Sequence, residues 1–186
     1  MTDSTGEHTE EAKLEALFNA HFSAVRTYTR RRAPEALVDD IVSETFLVAW
    51  RRIDDLPADP RPWLLTVARK TLSTQLRSAR RRSSLVEKLK GVERAQSFPE
   101  LDDPDVSGVI ASLERLSATD QEVLALAAWE GLRPSEAAVV LGVSPARCRL
   151  RLHRAKRRLL RELERSVEEP APQPVPFQLT RQGAAK

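Results

Sequence analysis

The sequence predicts an all-α fold, and three observations carry that expectation. The 186 residues include only 6 Gly and 5% aromatics, with almost no alternating β-branched runs, which argues against sheets and barrels. Leu14, Leu17, Phe18, His21, Phe22, Val25 and Tyr28 recur at the three- and four-residue spacing of one helix face. Pro and Gly then punctuate the chain where helices would start and stop, at Pro34, Pro62, Gly131, Pro134, Gly142 and Pro145.

Taken in order, residues 1–10 are polar and expected to be disordered, and a first helix runs to Arg31-Arg32 before Pro34. Residues 35–53 form a second helix, Asp54 to Pro60 a loop with two prolines. Pro62 suits the first turn of a third helix, which carries Trp63, Leu64, Leu65, Val67 and Ala68. It continues through Leu72 and Leu76, with room for a break, to Arg80-Arg81-Arg82. These elements make a first module, 11–82. Residues 83–106 lose apolar periodicity, contain Pro99 and Pro104 among four carboxylates, and read as a flexible linker with room for fraying helix at its start. A second module, 107–165, begins near Ser107 with a helix marked by Val109, Ile110, Leu113 and Leu116. Ser117 is an N-cap for the next, which carries Val123, Leu124, Leu126, Ala127 and Trp129 and ends at Gly131. Beyond Ser166, prolines at 170, 172, 174 and 176 favour an extended, disordered tail.

Charge is strongly segregated along this chain of net +3. Residues 1–60 balance at −5, 61–94 at +8, 95–146 at −7 and 147–165 at +7. Two basic segments that each follow an acidic one suggest two modules, each with one polyanion-binding helix. Cys148 is alone, so no intrachain disulfide is expected. His8, His21 and His153 are too scattered for a zinc site, and neither metal nor cofactor is expected. No apolar run approaches the roughly 20 residues of a membrane span, and the acidic N-terminus is unlike a signal peptide. A cytoplasmic protein without membrane insertion is expected.

Residues 134–160 carry the most specific local signal. Pro134 to Leu141 reads as a short helix, Gly142 as a tight turn, and Ser144-Pro145 as the capped start of a second helix, together a helix-turn-helix. Cys148, Leu152, Ala155 and Leu159 share one stripe at about 100° per residue and should bury against the first helix. Arg147, Leu150, Arg151, His153, Arg154, Arg157 and Arg158 occupy the other directions, a positive face fit for a major groove. With nine basic and two acidic residues over 147–165, mutual ion pairing cannot account for it. Arg157, Arg158 and Arg161 are expected to anchor phosphate or face solvent. On the apolar stripe, Cys148 reads as a small core residue rather than a redox sensor.

The run Val38 to Asp54, followed by Pro62-Trp-Leu-Leu-Thr-Val-Ala-Arg69 and the cluster Arg80 to Arg82, closely resembles region 2 of bacterial RNA polymerase sigma factors. It is most similar to the small extracytoplasmic-function group. Gly142-Val-Ser144 and Arg151 to Leu159 resemble the helix-turn-helix of sigma region 4. The resemblance covers about residues 14–82 and 107–162. It departs from the usual pattern at Lys70, at Arg133-Pro134 before the scaffold helix, and at Cys148 and Leu150. The resemblance implies that region 2 grips a coiled coil of the largest polymerase subunit and melts the minus-10 promoter element. Region 4 would read the minus-35 element and dock on the flap of the second-largest subunit. The protein would itself catalyse nothing, and the family often has an anti-sigma partner.

Residue types assign candidates to each of these roles. Strand opening needs aromatics to stack on exposed bases and cations to hold phosphate. Arg61, Trp63, Arg69, Lys70, Arg77, Arg80 and Arg81 supply those groups, with a core role for Trp63 as the alternative, and Thr71 joins them because the segment Ala68-Arg69-Lys70-Thr71 resembles the family's loop that captures an unstacked promoter base. On the 145–160 helix, Ala146 and Leu150 lie opposite the buried stripe, flanked by Arg147, Arg149, Arg151, His153 and Arg154, the candidates for minus-35 reading. Winding the 35–53 helix puts Leu37, Ile41 and Val48 on the core side. Leu47 and Trp50 fall among Asp39, Asp40, Ser43 and Arg51 on the polar arc, which suggests a polymerase contact at Asp39, Asp40, Ser43, Leu47 and Trp50.

Two other readings compete. A DNA-binding regulator with an N-terminal sensing or dimerising module would share the helix-turn-helix. A nucleic-acid-processing enzyme lacks support, because Asp39-Asp40 and Asp54-Asp55 have no partner ligands at convincing spacing.

Overall fold

A computed structural model describes residues 4–86 and 104–168, with side chains described for 10–79, 81 and 108–165. All regular structure among the described residues is helical. The order is α1 (Ser4–Arg30), a 3-10 turn (Glu35–Leu37), α2 (Val38–Trp50), a second 3-10 turn (Ile53–Asp55) and α3 (Arg61–Val86). Then come α4 (Pro104–Glu114), α5 (Ala118–Ala128), α6 (Pro134–Leu141) and α7 (Pro145–Glu168).

Several boundaries differ from the sequence expectation. α1 already starts at Ser4, inside the segment expected to be disordered, and α3 is unbroken, running to Val86 in the stretch where fraying helix had room to continue. α4 starts at Pro104, which takes the N-terminal helical position where a missing N–H is harmless, and α7 runs two residues past Ser166. The second helix splits, because Pro34 feeds a 3-10 turn whose Leu37 N–H donates to the Pro34 carbonyl (2.9 Å) before α2 begins. The proline-rich tail and most of the expected linker lie outside the described residues.

In the first domain α1 and α2 pack on each other and on α3. Val25, Tyr28, Val38, Ile41, Ala49, Leu64, Leu65 and Ala68 are sealed from solvent. Consecutive residues of one helix point about 100° apart, so burial of both Leu64 and Leu65 requires neighbours on two sides. α3 has them, with α1 and α2 on one flank and α6 of the second domain on the other.

In the second domain α7 packs on α4, α5 and α6. Ser117 caps α5 as expected, its hydroxyl accepting from the Asp120 N–H (3.2 Å). Gly142 ends α6 at φ +66°, a left-handed conformation that a Cβ disfavours, and this sets the sharp turn into α7. Arg133 stands where a Ser or Thr cap is usual. Arg133 has no side-chain acceptor to cap the helix, and the Glu136 carboxylate makes only the return bond of a capping box, accepting from the Arg133 N–H (2.7 Å) and also from its Nε (2.6 Å). The Arg133 guanidinium and backbone N–H accordingly hold the Glu136 carboxyl below its ordinary range.

Candidate nucleic-acid and polymerase interface

The α7 helix has the polarity its sequence demands. Cys148 and Ala155 are fully buried and Leu152 and Leu159 half-buried, which anchors one stripe on the domain core. Burial pushes the Cys148 thiol up from its usual range, as befits a core residue rather than a thiolate. Ser144 caps the helix by accepting from the Arg147 N–H (3.3 Å). That cap and Pro145 aim the first turns outward. Ala146, Arg147, Arg149, Leu150, His153 and Arg154 are exposed and Arg151 is half-buried. The face combines guanidinium forks with an apolar Leu150 that is 49% exposed, so it offers both hydrogen-bond donors and a contact for a thymine methyl. Farther along, Arg157 and Arg161 face solvent, but Arg158 does not behave as a free phosphate anchor. It pairs with the buried Asp120 of α5 and braces α7 inside its own domain.

On α3, Lys70, Arg77 and Arg81 are exposed, Arg69 and Thr71 half-buried, and the Arg80 side chain lies outside the described residues. Trp63 is half-buried and packs against the core, so at least part of its ring serves the structural role weighed for it. Arg61 is engaged elsewhere: its Nη2 donates to the Glu130 carbonyl of the second domain at 2.7 Å. On α2 the expected arc is present. Ile41 is buried and Leu37 and Val48 half-buried, while Asp39, Asp40 and Ser43 are exposed beside Leu47 and a Trp50 that is 46% exposed. Phe18 of α1, stacked on Phe22 at 4.7 Å and tilted against Phe46 at 4.8 Å, is also exposed.

Sequence reasoning did not identify the junction between the domains. The Arg32 guanidinium donates from Nε to Glu122 (3.1 Å) and from Nη1 to Glu130 (3.1 Å) and to the Tyr28 carbonyl (3.1 Å). It also lies 3.8 Å over the Tyr28 ring. The Tyr28 hydroxyl donates to Glu122 (3.3 Å), and Arg31 adds a second contact to Glu130 (3.3 Å) while lying 5.4 Å over Trp129. Burial works against the Arg32 charge, yet Glu122, Tyr28 and Glu130 hold its pKa above the ordinary value. Burial, reinforced by the Glu122 charge, pushes the Tyr28 phenol up strongly, so it stays protonated and donates. The signal in the sequence was the triplet Arg30-Arg31-Arg32 ending a helix otherwise poor in cations, but its partners are 90 and 98 residues away.

An all-helical first domain with an exposed apolar and acidic arc is joined to a helix-turn-helix with a basic face, the architecture of a DNA-binding protein. The description "Sigma-70 region 2" matches residues 17–82 and "Sigma-70, region 4" matches residues 109–159, and the chain belongs to the sigma-70 family of RNA polymerase sigma factors. It is 30% identical over 161 residues to the ECF RNA polymerase sigma factor SigL of Mycobacterium tuberculosis, covering 81% of this chain and 88% of that one. It is also 30% identical to the RNA polymerase sigma factor NccH of Alcaligenes xylosoxydans, covering 72% of this chain and 76% of the relative. The sigma factor RpoE of Bartonella quintana, solved in complex with the anti-sigma factor NepR, shares the fold. Its TM-score is 0.61 at 23% identity, covering 81% of this chain and 96% of that one. No helix among the described residues is long and apolar enough to cross a membrane.

Proposed function

We propose that the chain is an alternative sigma factor of the extracytoplasmic-function group. It binds core RNA polymerase, brings it to promoters bearing particular minus-10 and minus-35 elements, and promotes strand opening without catalysing a reaction itself. The observation that carries this reading is the pairing of two surfaces on one chain. One is the exposed arginine face of α7, seated on a core stripe; the other is the Leu47–Trp50 arc of α2, left open beside Asp39, Asp40 and Ser43. A regulator acting alone has no need of the second surface. Arg147, Arg149, Leu150 and Arg151, with Ala146, His153 and Arg154 around them, serve the minus-35 element. Trp63, Arg69, Lys70, Thr71, Arg77, Arg80 and Arg81 serve the melted minus-10 strand, joined by Arg61 once it is released from Glu130. The protein works in the cytoplasm, where polymerase and promoter are, and an anti-sigma factor is a further partner.

Run-off transcription with purified core polymerase tests the proposal. Promoter-specific transcripts are expected from core plus this chain alone. A chain that acts only on holoenzyme already carrying another sigma factor would be a regulator instead. In the same assay Leu47→Ala with Asp40→Ala is expected to weaken core association while leaving helicity and thermal melting unchanged. Unchanged association would remove the α2 arc from the polymerase interface.

A further inference from the structure

We propose that Asp120 is a positioning residue for promoter reading: through its pair with Arg158 it sets the roll and the axial register of α7, so the minus-35 preference depends on a buried carboxylate that never meets DNA. The proposal rests on the sigma-factor reading and deepens it at one of its two surfaces.

The arginines of α7 fall into a row. Arg147, Arg151, Arg154 and Arg158 are separated by four, three and four residues, so at about 100° per residue they lie within roughly 60° of one another along one edge of the apolar stripe. The first three carry guanidiniums assigned to reading. The fourth lies about 16 Å beyond Arg147, at 1.5 Å of rise per residue, and is the member of the row that pairs with a carboxylate of another helix.

Apolar burial alone does not place this row. Cys148 and Ala155 are sealed and Leu152 and Leu159 half-buried, and burial of such side chains is non-directional. It decides which face of α7 turns inward, but it resists a roll or a slide of the helix only weakly. Base reading tolerates little of either, because a binding constellation has to be held within about 0.5 Å and 10–20° of its productive geometry. A 20° roll carries the surface of a helix about 5–6 Å in radius by roughly 2 Å, well past that margin.

Asp120 supplies the direction that the stripe lacks. A charge-assisted hydrogen bond from a guanidinium has geometry as well as strength. The Asp120 side chain is 6% exposed, so it has almost no water to turn to and is held to Arg158. Its own place is fixed by the corner between α4 and α5. The Ser117 hydroxyl accepts from the Asp120 N–H (3.2 Å), and the neighbouring Gln121 amide donates to the carbonyls of Glu114 (3.2 Å) and Leu116 (3.0 Å). The carboxylate thus fastens the far end of the arginine row to the frame of the domain. It also neutralises the last cation of that row, which relieves repulsion on Arg154 one turn earlier.

Selection from a duplex library randomised at the minus-35 element, carried out with holoenzyme and with the free full-length chain at low salt, tests the assignment. Asp120→Asn keeps the shape of the side chain and removes its charge. It is expected to flatten the preferred bases by roughly fivefold or more, the lower end of what a bidentate base contact supplies. Helicity by circular dichroism should stay at the parental level, and the salt dependence of binding should not weaken, since no phosphate contact is lost. Arg158→Met should flatten the preference equally, but it also strands a buried charge and lowers the melting temperature. Adding Asp120→Ala to it removes that charge and lets the melting temperature recover toward the parent. The preference should nonetheless stay flat. A double variant whose preference returns together with its stability would make the pair merely structural and overturn the proposal, as would an Asp120→Asn chain with the parental preference. An Arg158→Met chain that keeps the preference but loses about one unit of salt slope would make Arg158 a phosphate anchor instead, with the same consequence. The free-chain arm needs no polymerase, so a chain whose preference responds as described yet never supports transcription would count against the sigma reading and not against Asp120.

Discussion

Leu64→Ala is expected to destabilise the protein by about 2–5 kcal/mol, the range for deleting a sealed leucine from a core that collapses only partly around the gap. Leu64 is fully buried on α3, the helix packed by α1, α2 and α6 at once, so little of its surroundings is free to relax. Against a total stability of about 5–15 kcal/mol for an ordinary domain, that loss is large. Urea unfolding followed by circular dichroism reads it as a lower midpoint at unchanged slope. Val139→Ala, at an exposed position of the neighbouring helix, serves as the control and should move stability by no more than about 0.5 kcal/mol. A Leu64 variant within that same margin would mean that α3 is not the element on which the packing turns.

Arg147→Ala and Arg151→Ala are each expected to lose roughly 1–3 kcal/mol of discrimination at a single minus-35 position, whereas Arg157→Ala should weaken binding to all sequences alike. The argument is geometric. Arg147 sits in the first turn, its N–H held by the Ser144 cap, and Arg151 lies one turn on beside the exposed Leu150. Arg157 is nearly two turns farther along, at about 1.5 Å of rise per residue, where a straight helix has left the groove. Holoenzyme binding to a randomised promoter library separates the outcomes, because a base reader flattens one column of the preference and a phosphate anchor lowers all of them and reduces the salt slope by about one. Three variants that keep the parental preference and salt dependence would place the reading face elsewhere on α7.

What the sequence made legible is what local chemistry determines. The Ser117 and Ser144 caps, the left-handed Gly142, and the stripe of Cys148, Leu152, Ala155 and Leu159 depend on neighbours within a turn or two, and all are present as expected. The outward Leu47 and Trp50 were legible for the same reason, since helical winding alone separates them from Ile41. Long-range approach was not legible. Arg158 could not be told from its basic neighbours until α5 brought Asp120 beneath it. Nothing local in the sequence marks Arg32, Glu122 and Glu130 as buried, because their burial depends on how two separately patterned domains meet. The start of α1 was missed for a different reason: residues 4–10 are polar, and apolar periodicity is silent where a helix has no face to bury.

The position of Cys148 gives the chain a built-in clock. It is the only thiol in 186 residues, and it lies fully covered beneath the helix assigned to promoter reading. A soluble alkylating reagent can reach it only while α7 lifts from the domain core, so the rate of labelling counts those excursions directly. Each 1.4 kcal/mol that holds α7 down slows the reaction about tenfold when reclosing is fast. Promoter DNA or a protein partner that grips α7 would therefore register as protection of a sulfur it never touches.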